Sequence, residues 1–269
     1  MRLLNTRTYQ IDEILVDSVP SYAILSHTWS GEEVSFQDMR DPARDDHHSG
    51  KRGLEKVKKA CEVAASCGHE WIWIDTCCID KSNSAELIEA INSMYNWYKR
   101  AKICLVYLED LDEDGPLGGC RWFTRGWTLQ ELIAPKQMLF FDKNWREKGT
   151  KEGLIMDIVK RTGISERILM HEDHLSAVSV AQKMSWASGR STSRVEDTAY
   201  SLLGIFGVHL SLIYGEERRV FRRLQEAILS SIPDLSIPAW RRQQTQAPNA
   251  DNTSRRVYSG VFATGTTGL

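Results

Sequence analysis

Four short apolar runs separated by stretches of helical period constrain this chain more than any other feature: YAILSHTW (22–29), EWIWID (70–75), KICLVYLED (102–110) and QMLFF (137–141). Each is short enough for a strand buried along its length, and the first three run into polar residues where such a strand meets solvent. Between the first two, GLEKVKKACEVAASCG places Leu54, Val57, Cys61 and Ala64 or Ala65 at helical spacing and stops at Gly68. Between the second and third, NSAELIEAINSMYNWYKRA offers Asn83 as N-cap and Glu86 as its capping-box partner. An inward stripe of Leu87, Ile91, Met94 or Tyr95, and Tyr98 completes that helix. RWFTRGWTLQELIAP (121–135) reads as a third helix ended by Pro135. Strands alternating with helices predict an α/β fold, a parallel sheet covered on both faces, with ligands collecting beyond the carboxyl ends of the strands. Those ends are Ser26-His27-Thr28-Trp29, Asp75-Thr76-Cys77 and Glu109-Asp110.

Beyond about residue 150 the text turns helical, through GTKEGLIMDIVKRTG, SVAQKMSWAS, SRVEDTAYSLLGIFG and GEERRVFRRLQEAILSSI, with Ser193 and Glu196 as a further capping box. The expected organisation is an α/β core over 1–150, a helical extension packed on it over 151–240, and a polar tail or the start of a further region over 241–269. With 34 basic against 36 acidic residues, no bulk charge draws the chain to nucleic acid or to an anionic membrane. No run approaches the ~20 apolar residues of a membrane span, and MRLLNTRTYQIDEILVD lacks a signal-peptide core, so a cytoplasmic setting is expected. The six cysteines (61, 67, 77, 78, 104, 120) lie mostly in apolar text and read as reduced thiols. Cys61, Cys67, His69 and Cys77 lack the paired short spacings of a zinc site, and no metal is expected.

Neither a Walker-type phosphate loop nor a Gly-x-Gly-x-x-Gly fingerprint is present, which argues against an ordinary P-loop NTPase or Rossmann dehydrogenase. Ser26, His27 and Asp75 fail as a hydrolase triad, because consecutive strand residues point to opposite faces, and no Gly-x-Ser-x-Gly elbow occurs. On a helix, Trp127 and Glu131 share one face, Thr128 lies beside them, and Leu129, Leu132 and Ile133 serve the core. A carboxylate walled by an indole at the strand-end crevice suits stabilisation of a sugar oxocarbenium ion. A solvated Glu131 with Trp127 in the core fits the same residues.

Three blocks, YAILSHTWSGEEVSFQDM, WIWIDTCCIDKSNSAELIEAINSMYNWYKRAKICLVYLEDL and RWFTRGWTLQELIAPKQMLFFDKNW, resemble in order the signature blocks of the fungal heterokaryon-incompatibility (HET) domain. RSTSRVEDTAYSLLGIFGVHLSLIYGEERRVFRRLQEAIL resembles the segment that often follows it. The resemblance implies a role in fungal non-self recognition ending in cell death, downstream of an incompatibility partner. HET domains are in turn similar to Toll/interleukin-1-receptor (TIR) domains, which implies a flavodoxin-like sheet. In enzymatic TIR domains a Trp-Cys-x-x-Glu-Leu segment supplies the catalytic glutamate. Trp127-Thr128-Leu129-Gln130-Glu131-Leu132 is similar to it, with Thr128 in place of the cysteine.

That likeness implies that Glu131 is the catalytic carboxylate of an enzyme cleaving NAD as substrate, with no cofactor, and that Trp127 shapes its pocket. It also implies self-association to complete the site. Ser26, His27 and Trp29 then offer a hydroxyl, an imidazole donor and a stacking face to the nucleotide, or else simple strand-end bonding and packing. Asp75 is placed to take ribose hydroxyls or to cap its loop. Arg125 and Arg121 are placed to grip a pyrophosphate or to pair with Asp110, Asp112 or Glu113. The basic run RRVFRR (218–223) reads as a membrane-surface helix or as a solvated face over an apolar stripe, the second being the reading adopted. A non-catalytic death-signalling adaptor, acting through domain assembly, is the rival to the enzyme.

Overall fold

The computed structural model describes residues 1–15, 18–41, 43 and 50–232; the expected 241–269 tail lies outside them. In chain order come β1 (Arg2–Asn5), β2 (Ile11–Glu13), β3 (Tyr22–His27), α1 (Phe36–Arg40), α2 (Arg52–Ser66), β4 (Trp71–Trp73) and α3 (Asp75–Cys78). They are followed by α4 (Ser84–Arg100), β5 (Ile103–Tyr107), α5 (Thr128–Ile133), β6 (Met138–Phe141) and β7 (Glu147–Thr150). The extension then adds α6 (Ile155–Thr162), α7 (Glu166–Leu169), α8 (Val180–Ala187), α9 (Asp197–Tyr200), α10 (Leu203–Phe206) and α11 (Arg219–Ser231).

All seven strands share one sheet, in the order β2-β1-β4-β3-β5-β6-β7. The four runs picked out by their apolar character are its parallel centre: β3 pairs with β4 and with β5, and β5 with β6. All six residues of β3 are buried, which is why YAILSH shows no alternation of apolar and polar positions. The antiparallel strands β1, β2 and β7, of which β2 and β7 are the edges, have no counterpart among the expected strands. Ile11–Glu13 and Glu147–Thr150 are short and mostly uncovered, so they carry no apolar signature to read.

The order of the parallel strands places the site. The chain leaves β3 for β4 on one side and leaves β5 for β6 on the other, so a topological switch point falls between β3 and β5. Trp73 sits fully buried in β4, edge-on to Trp97 at 5.4 Å and to Tyr98 at 5.9 Å, and this locks α4 to the sheet. The same core continues into the extension through Ile158, Leu169, Tyr200, Leu224 and Ile228. Gly204 of α10 lies so close to α4 that a Cβ there meets Tyr95 Cβ at 2.1 Å. Only glycine permits that approach.

Both expected capping boxes are corrected. Asn83 does cap α4, accepting from the Ala85 and Glu86 amides, but the Glu86 carboxylate turns away to Arg2 and to the Asp80 amide at 2.8 Å. α9 has Glu196, not Ser193, at its N-cap and no side-chain cap bond; Ser193 instead accepts from Arg125, and Glu196 accepts from the Gly215 and Glu217 amides. On α11 the stripe Val220, Leu224 and Ile228 is buried, while Arg222 and Arg223 pair with Glu226 and Glu216. Among the described residues no helix is long and apolar enough to cross a membrane.

Candidate functional site

Ser26 and His27 are consecutive in β3 and point to opposite faces of the sheet, as strand geometry requires. On the Ser26 face, its hydroxyl donates to Glu131 Oε2 at 2.5 Å and accepts from the Trp122 indole at 2.8 Å. Tyr98 donates to the Leu25 carbonyl at 3.0 Å, and its hydroxyl also bonds the Glu131 carboxyl. Glu131 is only 7% exposed, because all six residues of α5 are buried; the helix is an interior one, not a surface one with a wet face. Burial pushes the Glu131 carboxyl up to about 8, further raised by the Asp75 charge and opposed by the Ser26 and Tyr98 bonds and by Arg190.

On the other face, the His27 ring bonds Asp75 Oδ1 through Nε2 at 3.0 Å, and the Trp29 indole donates to Oδ2 at 2.8 Å. Asp75 opens α3, one residue after β4 ends. Burial alone would raise its carboxyl, but the His27 bond and charge, the Lys81 charge and the Trp29 bond hold it at about 2. Trp29 is 49% exposed, and the Lys81 ammonium stands 3.8 Å from its ring centre. His27 Nδ1 and Thr76 Oγ1 are buried and have no partner among the described residues. Buried polar atoms without a partner call for an explanation, and a ligand hydroxyl is one that would satisfy them.

The remaining sequence candidates are placed as follows. Trp127 is half-buried, and its indole bonds Asp197 of the extension. The indole joined to the Glu131 carboxyl through one hydroxyl is that of Trp122. Arg125 bonds Ser193 at 2.9 Å. Arg121 pairs with Glu109 and takes the Asp110 carboxylate on its amide, whereas Asp112 and Glu113 pair with Lys143 and Arg146. Among the described residues no three of His, Cys, Asp and Glu gather to hold a metal, and Cys67 lies exposed while Cys61 and Cys77 are in the core.

Sequence reasoning missed four supporting groups. Trp122 and Tyr98 were in view, one in the aromatic stretch and one on the α4 stripe, but spacing does not reveal that both turn to the same carboxyl. Lys151 is buried beside β7 and donates to the Leu132 and Pro135 carbonyls, each at 2.9 Å, closing the carboxyl end of α5. Burial pushes its ammonium down to about 8. Arg190 reaches the start of α5 from the extension, with Nη1 donating to the Arg125 carbonyl at 2.9 Å and the Thr128 hydroxyl at 3.0 Å. No local pattern announces either contact.

Comparison with known proteins bears on this arrangement. Residues 22–121 match the family model described as heterokaryon incompatibility protein (HET). Residues 219–262 match a domain of unknown function, DUF8212. The chain is 46% identical over 224 residues to the vegetative incompatibility protein HET-E-1 of Podospora anserina, an alignment covering 78% of this chain and 16% of that protein. It thus spans under a fifth of that relative's length. No solved structure matches the chain.

Proposed function

Because the chain carries a heterokaryon-incompatibility domain, we propose that it is an effector of fungal non-self recognition and programmed cell death, and that it acts by hydrolysing NAD at the nicotinamide–ribose bond. The observation that carries this reading is the Glu131 carboxyl, buried at the switch point and held by Ser26 at 2.5 Å. The strand order β4-β3-β5-β6 of the parallel centre and the Trp127-to-Leu132 segment support a TIR-like, flavodoxin-like site.

In this reading the C1′–N bond breaks with its electron pair going to the cationic ring nitrogen, releasing neutral nicotinamide. The ribosyl cation left behind faces Glu131, and water then adds at C1′ and gives up a proton. No acid is needed for the leaving group, so Glu131 serves as an anion. The approaching nicotinamidium charge favours the ionised carboxyl, and the same interaction strengthens as charge moves onto the ribose. His27, Thr76 and Asp75 offer polar atoms to ribose hydroxyls, and Trp29 offers a stacking face. Self-association of a cytoplasmic chain, driven by an upstream incompatibility protein, rearranges the rim and admits the nucleotide.

The burial of Glu131 favours a second reading, a non-catalytic adaptor in which the same network only stiffens a surface for assembly. Expression in a fungal or bacterial host separates the two. The enzyme reading expects cellular NAD to collapse before viability falls, with both losses abolished in Glu131→Ala and Glu131→Gln. Death with NAD intact overturns it in favour of the adaptor.

A further inference from the structure

We propose that residues 190–193 of the helical extension are part of this site, and that Arg190 is the positioning residue that fixes where the Glu131 carboxyl stands. The proposal rests on the contacts made by the four residues that lead into α5. The Ser191 amide donates to the Thr124 carbonyl at 2.7 Å and the Gly126 amide to the Ser191 carbonyl at 2.8 Å, so Arg125 and Ser191 form an isolated parallel bridge. Arg125 reaches on to the Ser193 hydroxyl at 2.9 Å, and Trp127 bonds Asp197. At Gly126 a Cβ meets Thr192 Cγ2 at 2.5 Å, so the two segments lie closer than a side chain allows.

Arg190 closes this clip. Its Nε donates to the Trp186 carbonyl at 3.2 Å, which ties it to the end of α8, while Nη1 spans the Arg125 carbonyl and the Thr128 hydroxyl at the first turn of α5. Thr128 in turn bonds the Trp122 and Arg125 carbonyls. A hydroxyl both donates and accepts strongly, whereas a thiol does so weakly, so Thr128 is the residue matched to an arginine at this place. With Lys151 holding the far end of α5, the six-residue helix is fixed at both ends by charged groups from outside the 22–121 segment. The groups whose bonds or charge act on the Glu131 carboxyl include Ser26 of β3, Tyr98 of α4, Cys104 of β5, Asp75 of α3 from the other face, and Arg190. Arg190 is the one cation among them.

The test uses the full chain with Arg190→Met, which keeps length but loses charge and donors, and with Arg190→Lys. Glutamate labelled with carbon-13 at Cδ gives one resonance that disappears in Glu131→Gln, and this reports the ionisation of Glu131 whether or not the protein has any activity. Arg190→Met is expected to move the Glu131 midpoint to higher pH, and Arg190→Lys to restore most of the difference. Amide exchange over 124–131 is expected to quicken about tenfold in Arg190→Met as local opening becomes easier. The kinetic arm alone rests on the NAD reading: kcat for nicotinamide release in forced oligomers falls about 10- to 100-fold with KM within about twofold. A folded Arg190→Met protein with the wild-type titration and exchange overturns the proposal. If that variant does not fold, Arg190→Gln, which keeps donors but loses the charge, is judged by the same two readouts. A shifted titration in a protein that never releases nicotinamide upholds the positioning role and rejects the NAD reading.

Discussion

The two faces of β3 at its carboxyl end treat a carboxyl group in opposite ways, although Ser26 and His27 are neighbours in the chain. Glu131, on the Ser26 face, is enclosed by Trp122, Tyr98 and the interior helix that bears it, and its carboxyl is pushed up to about 8. Asp75, on the His27 face, keeps a solvent edge and has an imidazole, an indole and a nearby ammonium, and its carboxyl is held at about 2. The difference is one of partners against burial: the Ser26 and Tyr98 bonds and the Arg190 charge do not offset desolvation at Glu131, while an imidazole, an indole and an ammonium overcome it at Asp75. Environments that push two carboxyl groups apart in this way leave them unequally ready to ionise at neutral pH.

The largest expected consequence is in the dependence of stability on pH. The folded carboxyl of Glu131 titrates near 8 and an unfolded one near 4.5, so the folded state binds the extra proton between those values. Its contribution is therefore complete below pH 4.5 and is lost as pH rises through 8, a change on the order of several kcal/mol. Asp75 has the opposite sign: its contribution is present above 3.8 and is lost as pH falls through about 2. Urea unfolding from pH 4 to 9 should show the alkaline decline in the wild type and a flatter profile in Glu131→Gln. An unchanged slope in that variant breaks the contrast between the faces.

A smaller effect is expected from Ser26→Val, which strands the Trp122 N–H and the Glu131 carboxyl and should cost roughly 2–5 kcal/mol in urea unfolding at pH 6. On the His27 face, Trp29→Phe keeps the ring but drops one bond to a carboxylate that retains two other partners and a solvent edge, and about 1 kcal/mol is expected. Lys81→Ala removes the ammonium from the exposed Trp29 ring, for about 0.5 kcal/mol. Equal costs for Ser26→Val and Trp29→Phe would mean that the two faces are equally wet.

Much of this arrangement was legible in the chain. The four parallel strands announced themselves because burial on both faces leaves unbroken apolar runs, and Ser26, His27 and Asp75 follow from where those runs end. The antiparallel strands β1, β2 and β7 did not: β2 and β7 are three or four mostly uncovered residues, and β1, though buried, is too short to show a period. At Glu131 the text permitted a solvated residue and a walled one alike; the choice depended on α5 being an interior helix, which its six residues cannot reveal. The Trp122 bond, the Lys151 closure and the Arg190 clip join positions between 16 and 96 residues apart. Their geometry comes from tertiary packing, which local spacing does not encode.

The most direct test of the central claim is the release of free nicotinamide from NAD by the purified chain, concentrated or held together by a fused oligomerising segment, with Glu131→Gln alongside. Glutamine matches the neutral acid in shape and keeps the Ser26 bond, so the variant should fold as the wild type does. The expected result is turnover in the wild type that falls by about 100- to 1000-fold in the variant, the loss typical of removing one preorganised transition-state contact. Equal turnover in the two proteins, or none in any assembled form of the wild type, contradicts the assignment of Glu131.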